Sequence, residues 1–497
     1  MKRNFNLNKT YKKLRKYYKT RLRSVLPYII LTLLILVYTL FFSILSIDRH
    51  NRFQSLAFDL GINDQAIWQF SRFDIPFNTV RGIHILGDHF ALINIFVSPI
   101  YWFSDNVRTL LIFQTFIFAI AIIPLFLIAK HYFKNKWVPL IFCFTYLLFP
   151  ALHYVTLEDY HPEAFIPFFL LFAFYFIIKK KKWPYLIFFF LTLLTKEEIT
   201  LTTFLLGFYV YFKFDKKLGI FTSLFSLVWF LLVIKVFVPF FNGYGYLYGG
   251  HLLSSFGSKP LEILSNFLNP KVLFPIIFTS ENGTFIWELF APVGFLSLLN
   301  PVTLILAASL WMNIITSWPY SHTIQYHHII PIIPFVFISI IIGLSRFRKK
   351  RVIIYPLLAF LLICSLISNY YIAPYDSSIK NFDHIKNKFK NFNVPSENEK
   401  QLYAMIDITP ADASVSASYF VVPHLTHRNK IYNFPNPLKS HYWGNWKEGQ
   451  PSEYVDYLLL HTGHVEEHKD VLQPLIQNGT YIEIKSSNDF VLFELQK

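Results

Sequence analysis

Long apolar stretches separated by short charged turns fill the first 375 positions. A helix needs roughly 20 mostly apolar residues to cross ~30 Å of hydrocarbon. The run from about Val25 to Ile47 meets that length. It is too long for a signal-peptide core and no small-residue cleavage site follows, so it reads as an anchor. Further spans are predicted near 107–130, 137–156, 163–179, 183–197, 199–214, 218–240, 283–299, 301–317, 329–345 and 352–373, eleven in all. The apolar stretch 89–103 is too short to cross and reads as an interfacial or re-entrant helix.

After Pro374 the pattern changes. Strand-like runs are expected at Ala413 to Ala417, Lys430 to Asn433 and Tyr454 to Leu460, then a helix near Val465 to Gln477. Tyr481 to Lys485 and Phe490 to Leu495 make a hairpin-like pair. The expected architecture is an all-α polytopic membrane domain followed by a small α/β domain. Its parts are a tail at 1–23, a membrane domain at 24–375 with a large first loop at 48–106, and a soluble domain at 376–497.

Composition agrees with that division. Hydrophobic residues make up 54% of the 497, charged residues only 15%, and mean hydropathy is +0.39. Soluble domains carry about 25% charged residues, so a soluble enzyme, a coiled coil and a disordered chain are excluded. The net charge of +16 suggests nucleic acid until it is located: residues 1–23 hold ten basic residues and no acid. Such a tail directly before a span belongs on the cytoplasmic side. The clusters at Lys130 to Lys136, Lys179 to Lys182, Lys213 to Lys217 and Arg346 to Arg351 fall on the same side, giving 25 of the 34 basic residues before position 376. The orientation expected is a cytoplasmic N-terminus and an extracytoplasmic C-terminal domain in the cell membrane, with no nucleic-acid partner. Cys143 and Cys364 both lie in apolar segments and read as core residues. Lys235 sits inside a predicted span with no account in the sequence.

The acids carry the functional signal. Of fifteen before position 376, all but Asp215 fall at or near the expected outer face. Insertion rules do not require this, because Asp and Glu contribute little to topology. In the first loop, Phe58-Asp59-Leu60-Gly61 leads into an amphipathic pattern expected to lie on the bilayer. Asp88-His89 opens the re-entrant stretch: Asp88 as a helix cap is the plainer reading, and a metal or phosphate role the other. The turn Glu158-Asp159-Tyr160-His161-Pro162-Glu163 is dense enough for a hard divalent cation, Mg or Mn, on Glu158 and Asp159, or for proton transfer. For Glu163, placement in a first helical turn after Pro162 is an equally good structural reason. Lys196 and Glu197, wedged between apolar runs, suit an internal ion pair or a bound phosphate. Glycines and tyrosines alternate over 243–250, a pattern for a gating loop or a sugar-stacking surface. Tyr326-His327-His328 ends the last outer turn, at headgroup level or as a phosphate or metal site. No nucleophile elbow, phosphate loop or metal spacing occurs in the C-terminal domain, which is expected to bind an acceptor or cover the site.

In combination, Asp59 in FDLG, Gln65, Asp88-His89-Phe90, Asp159-Tyr160-His161-Pro162-Glu163, Lys196-Glu197, Tyr326-His327-His328 and Pro423-His424-Leu425 resemble an uncharacterised bacterial family of multi-pass predicted membrane proteins. The family's usual FHPE stands here as Tyr160-His161-Pro162-Glu163. Its architecture is similar to the GT-C superfamily of integral membrane glycosyltransferases. That resemblance implies a polyprenyl-phosphate sugar donor, a cell-envelope acceptor and a catalytic base early in the first outer loop. Asp59 occupies that place, with Asp88 a second candidate. His89, His161, Lys196, Glu197, Tyr326 and His327 would bind substrate. A transporter or flippase of a lipid-linked or anionic substrate is the rival, and a non-catalytic envelope scaffold a third reading. Transporters place charges mid-bilayer and show internal repeats; here no repeat is seen and, Lys235 aside, the charges gather on one face, which disfavours that rival.

Overall fold

A computed structural model describes residues 7–249, 253–374, 394–442 and 453–496, the first sixteen of these by backbone alone. The first helix runs Leu7–Asn51, and its apolar part Arg23–Asn51 is long enough to span. Leu31, Ile35, Tyr38, Phe42 and Leu45 are buried, while Leu33, Leu36, Val37 and Leu40 are exposed. That alternation follows the 3.6-residue period, so one stripe packs inward and the other faces lipid.

Among the described residues, four other helices meet the span criterion: Val107–Tyr132, Lys216–Asn242, His327–Ser345 and Arg351–Ile372. A pair bent by 49°, Val138–Leu147 followed by Pro150–Leu157, passes the same test only when taken together, as a broken span or a re-entrant loop. The bend falls at Pro150, which opens the second helix. The expected count of eleven is therefore not reached by length. Pro162–Ile178, Lys182–Leu193, Ile199–Lys213 and Pro301–Ile315 are apolar but shorter. Twelve residues of α-helix rise only about 18 Å, well under the hydrocarbon thickness. Where one span was expected at 283–299, a helix Ser280–Phe290 gives way to short 3-10 turns, with Gly294 and Phe295 both left-handed. Hydropathy registers apolar composition and is blind to such breaks. Lys235 is exposed and lies in a π-turn, Val233–Phe237, within the helix Lys216–Asn242.

The turns holding Asn51, Glu158, Lys196 and His327 meet at one end of the bundle, as their mutual contacts require. The lysine-rich turns gather at the other: Lys130 Nζ donates to the Tyr28 hydroxyl at 2.5 Å and Lys182 pairs with Asp215 at 2.5 Å.

The first loop folds over the acidic end. Its helix Ile62–Ser71 buries Asp64, Gln65 and Gln69, so it is largely enclosed by protein. A hairpin follows, strand β1 (Phe77–Asn78) against β2 (Ile83–His84). Asp88 is not the N-cap expected of the following helix, which begins after Leu92; it closes the 3-10 turn Ile85–Gly87, its amide donating to the Ile85 carbonyl. A Cβ at Gly87 would lie 2.7 Å from that of Asn242, so only glycine lets this loop touch the end of the helix Lys216–Asn242.

Near the C-terminus a five-stranded sheet has the order β4-β3-β5-β7-β6. Its strands are β3 (Val415–Ala417), β4 (Ile431–Asn433), β5 (Tyr457–His461), β6 (Tyr481–Ser486) and β7 (Phe490–Leu495). β3 is parallel to both neighbours, with Val415 opposite Ile431 and Tyr457, and the remaining pairs are antiparallel. A helix the sequence pattern did not suggest, Glu397–Ile406, starts in a capping box of Ser396 and Glu399. The sheet shares one apolar core with the first loop, where Ala57, Ile62 and Ile85 pack with Met405, Val415 and Val422. Thr79 Oγ1 donates to the Ile431 carbonyl at 2.5 Å and accepts from its amide at 3.0 Å. The C-terminal region is thus fastened over the loop.

Candidate functional site

Four local devices present the side chains. Asp59 projects from a π-turn, Ala57–Gly61, that opens the helix Ile62–Ser71. Glu158 and His161 occupy the extended turn after Pro150–Leu157, and Pro162 then starts a 3-10 turn with Glu163 in its first turn. Lys196 and Glu197 sit in the tight connection between Lys182–Leu193 and Ile199–Lys213. His327 begins a 3-10 turn, His327–Ile329, at the head of a span.

These turns converge. His161 Nε2 lies 3.4 Å from Asp59 Oδ1 and 4.0 Å from Glu158 Oε1. The His161 and His327 rings stack with centroids 3.8 Å apart and planes 22° from parallel. His327 Nδ1 is 3.0 Å from Glu158 Oε1, and its Nε2 is 3.9 Å from Glu163 Oε1. Lys196 Nζ pairs with that same Glu163 oxygen at 2.7 Å. Within this group the Asp59 side chain is 37% exposed, whereas those of His161, Glu158, Glu163 and Lys196 are 9% exposed or less.

Charge follows from this packing. Burial opposes ionisation of Asp59, yet the His161 ring beside it outweighs burial and holds the carboxyl below the usual aspartate range. Burial also disfavours a charged His161, but Glu158, Asp59 and Glu163 together raise it to about 10. Glu158, deeply buried among other acids, is pushed well above the ordinary glutamate value. The cluster therefore has an ionised, reachable carboxylate at its mouth and a compensating positive charge directly behind it.

Asp159 stands apart from Glu158 despite being its neighbour in sequence. Its Oδ1 takes Arg49 at 2.5 Å and its Oδ2 accepts the Leu56 amide at 2.8 Å. With both oxygens occupied by protein, it fastens the first helix to the turn and turns away from the cation pairing expected with Glu158. Asp88 and His89 also diverge. Asp88 is buried with Arg81 at 2.6 Å and the Tyr248 hydroxyl at 2.7 Å. Burial raises it, but Arg81 wins and holds it at about 2. Such a carboxylate is spent on an ion pair. His89 instead meets Glu197 at 2.7 Å and stacks on the Tyr248 ring at 4.3 Å, while Tyr246 donates to Glu197 at 3.2 Å. His89, Glu197 and Lys196 thus form a second polar group adjoining the first. Tyr326 is half-buried, its ring edge-on to Tyr320.

Several residues of the site were missed in the sequence. Gln114 accepts the His161 amide at 2.8 Å and donates to the Glu158 carbonyl at 3.2 Å. Its signal was available: an amide in the middle of an apolar span. Arg49 had no local signal, since it acts through Asp159, far along the chain; Arg81 pairs with nearby Asp88 and was overlooked.

A family model matches residues 49–492. The chain belongs to the DUF2079 family of predicted membrane proteins. Every site residue named above lies within the matched region of that family. Among solved structures, the crystal structure of ArnT from Cupriavidus metallidurans in the apo state is similar to this chain. The TM-score is 0.52 at 10% identity, over 93% of this chain and 97% of that one. At that identity the likeness is one of fold. No curated protein matches. This member of DUF2079 therefore joins an ArnT-like fold to a buried His–carboxylate cluster.

Proposed function

We propose that the protein is an integral membrane glycosyltransferase that moves a sugar from a polyprenyl-phosphate donor to a cell-envelope acceptor. The observation that carries this is Asp59, the carboxylate of the cluster left reachable, held ionised beside His161 at 3.4 Å. Transfer requires a base for the acceptor hydroxyl and positive charge for the departing phosphate. Asp59 takes the first role. Lys196 and His161 supply the second, and His327, His89, Glu197 and Tyr326 line the approach. The fold supports the reading because ArnT is a glycosyltransferase of the GT-C type.

In this reading the acidic end faces outward, the basic tail stays in the cytoplasm, and the C-terminal sheet covers the first loop on the outer side. The prenyl chain lies against Phe-rich helices in the bilayer. Asp88, locked by Arg81 and Tyr248, shapes the loop and takes no part in proton transfer. The test is transfer from radiolabelled polyprenyl-phosphate sugars in membranes bearing wild type or Asp59→Ala. A positioned base contributes about 10²–10⁴-fold, so transfer should fall by that order. Undiminished transfer by the variant would remove Asp59 as the base.

A further inference from the structure

We propose that His327 is a positioning residue, its ring the platform that holds the His161 imidazolium in place behind Asp59. The use made of that charge rests on the transferase reading. The placement of His161 stands on geometry alone.

His161 is tied down at its backbone and along one edge of its ring. Gln114 Oε1 accepts the His161 amide at 2.8 Å. Nδ1 lies 2.7 Å from the Asp159 carbonyl oxygen, so it carries a hydrogen and donates. The opposite edge is loose. Nε2 faces Asp59 Oδ1 at 3.4 Å without good hydrogen-bond geometry, and the Asp59 side chain is itself 37% exposed. One edge bond sets where Nδ1 points and leaves the tilt of the ring plane open. A change of tilt would carry Nε2 away from the carboxylate.

The ring face supplies what the edges do not. The His327 and His161 centroids are 3.8 Å apart, with planes 22° from parallel. His327 is fixed in turn: Nδ1 shares a hydrogen with Glu158 Oε1 at 3.0 Å, the His328 ring lies 4.3 Å away, and the side chain is 14% exposed at the head of a span. Asp59, Glu158 and Glu163 face the pair with negative charge and Lys196 with positive, while His89 and His328 stand beside it. Two positive rings at this separation would repel, so the stack holds one imidazolium against one neutral ring. His161, the member beside Asp59, carries the charge. A cation is drawn to the electron-rich face of an aromatic ring, and more strongly where water is excluded. Both His327 nitrogens face carboxylates of the cluster, Nδ1 toward Glu158 and Nε2 toward Glu163 at 3.9 Å. It therefore reaches the substrate through His161 and not by a polar contact of its own.

Two variants separate the face from the nitrogens. His327→Phe keeps an aromatic face and loses both nitrogens, whereas His327→Gln keeps a hydrogen-bonding group for Glu158 and loses the face. The full chain, labelled with ¹⁵N-histidine and held in nanodiscs, is titrated by solid-state NMR, with the His161 signals identified by their loss in His161→Gln. His327→Phe should keep His161 charged over the wild-type pH range. In His327→Gln the His161 acid dissociation constant should rise about tenfold, the order expected for a desolvated cation on a ring. Equal behaviour of the two variants, or a larger change in His327→Phe, overturns the proposal. Should either variant aggregate, wild type decides: a rigid, doubly protonated His161 ring at pH 7 supports the platform, and a neutral or reorienting ring overturns it. Sugar transfer is read on the same samples. There kcat should fall about tenfold in His327→Gln with KM for the donor unchanged, and a raised KM with kcat kept would mean that His327 touches the donor, which also overturns it. Wild type that shows the expected NMR result yet transfers no sugar would refute the transferase reading and leave the placement of His161 standing.

Discussion

Arg49 Nη1 lies 2.5 Å from Asp159 Oδ1, joining the end of the first span to the turn that carries Glu158 and His161. The Asp159 side chain is 1% exposed and the Arg49 side chain 28%. This pair makes Asp159 a fastening, and it separates two aspartates that look alike in the sequence.

That separation is measurable. Asp159→Ala leaves Arg49 without its partner and the Leu56 amide without its acceptor, a loss of about 3 kcal/mol, the low end for a broken buried pair because Arg49 is partly exposed. Asp59→Asn, at a more open position (37% exposed against 1% for Asp159), should destabilise less than Asp159→Ala, while transfer collapses. Melting of the two variants in the same detergent checks this, and equal destabilisation would contradict the division of roles.

The Lys196–Glu163 pair, both side chains 5% exposed, should show strong coupling. Lys196→Met strands a buried carboxylate and should cost about 3–5 kcal/mol. Adding Glu163→Gln should restore a large part of that loss. A double-mutant cycle by chemical unfolding gives the coupling energy, and additive effects would mean the pair is not formed.

His427 predicts a pH dependence. It comes from the C-terminal region and lies 2.8 Å from Asp105 and 3.3 Å from Asp64 in the first loop, with Arg72 on the far oxygen of Asp105 and Tyr101 against the ring. Burial lowers its basicity, but Asp64 and Asp105 outweigh burial and the net shift is upward. A folded value above the unfolded one means the contribution is complete below about pH 6.5, the unperturbed histidine value. It is then lost as pH rises through the raised folded value. Proteolysis of the C-terminal region should therefore quicken from pH 6.5 to 9 in wild type. In His427→Gln that rise should be absent, and parallel profiles would sink the assignment.

Gly82 tests how the loop is held. Its φ is +70°, and a Cβ there would lie 2.8 Å from the Tyr442 ring. Left-handed backbone alone costs an L-residue about 1–2 kcal/mol. Gly82→Ala should exceed that in unfolding experiments and loosen the loop from the C-terminal region, seen as faster amide exchange at Ile431. No change in exchange would mean the hairpin tip is free to move.

Legibility in the sequence followed interaction range. The strand at Val415–Ala417 and the pair Tyr481–Ser486 and Phe490–Leu495 could be read locally, because alternation along a strand needs no distant partner. The same holds for the long spans such as Arg23–Asn51. The capping box at Ser396 and Glu399 was present in the letters and overlooked. The expected eleven spans are not confirmed by helix length, for a local reason of another kind. Apolar runs such as 283–299 contain breaks at Gly294 and Phe295 that hydropathy averages over.

The sequence by itself determined that this is a helical membrane protein with a small sheet region near its C-terminus, and which turns concentrate acids and histidines. Composition and periodicity suffice for that, since solvent partition and backbone hydrogen bonding act residue by residue. Which of those residues share a site was decided by the tertiary structure. Adjacent Glu158 and Asp159 point to different partners, as do adjacent Asp88 and His89, while His161 and His327 meet across the chain. Charge and reach at a buried cluster depend on distances through space, and only packing sets those.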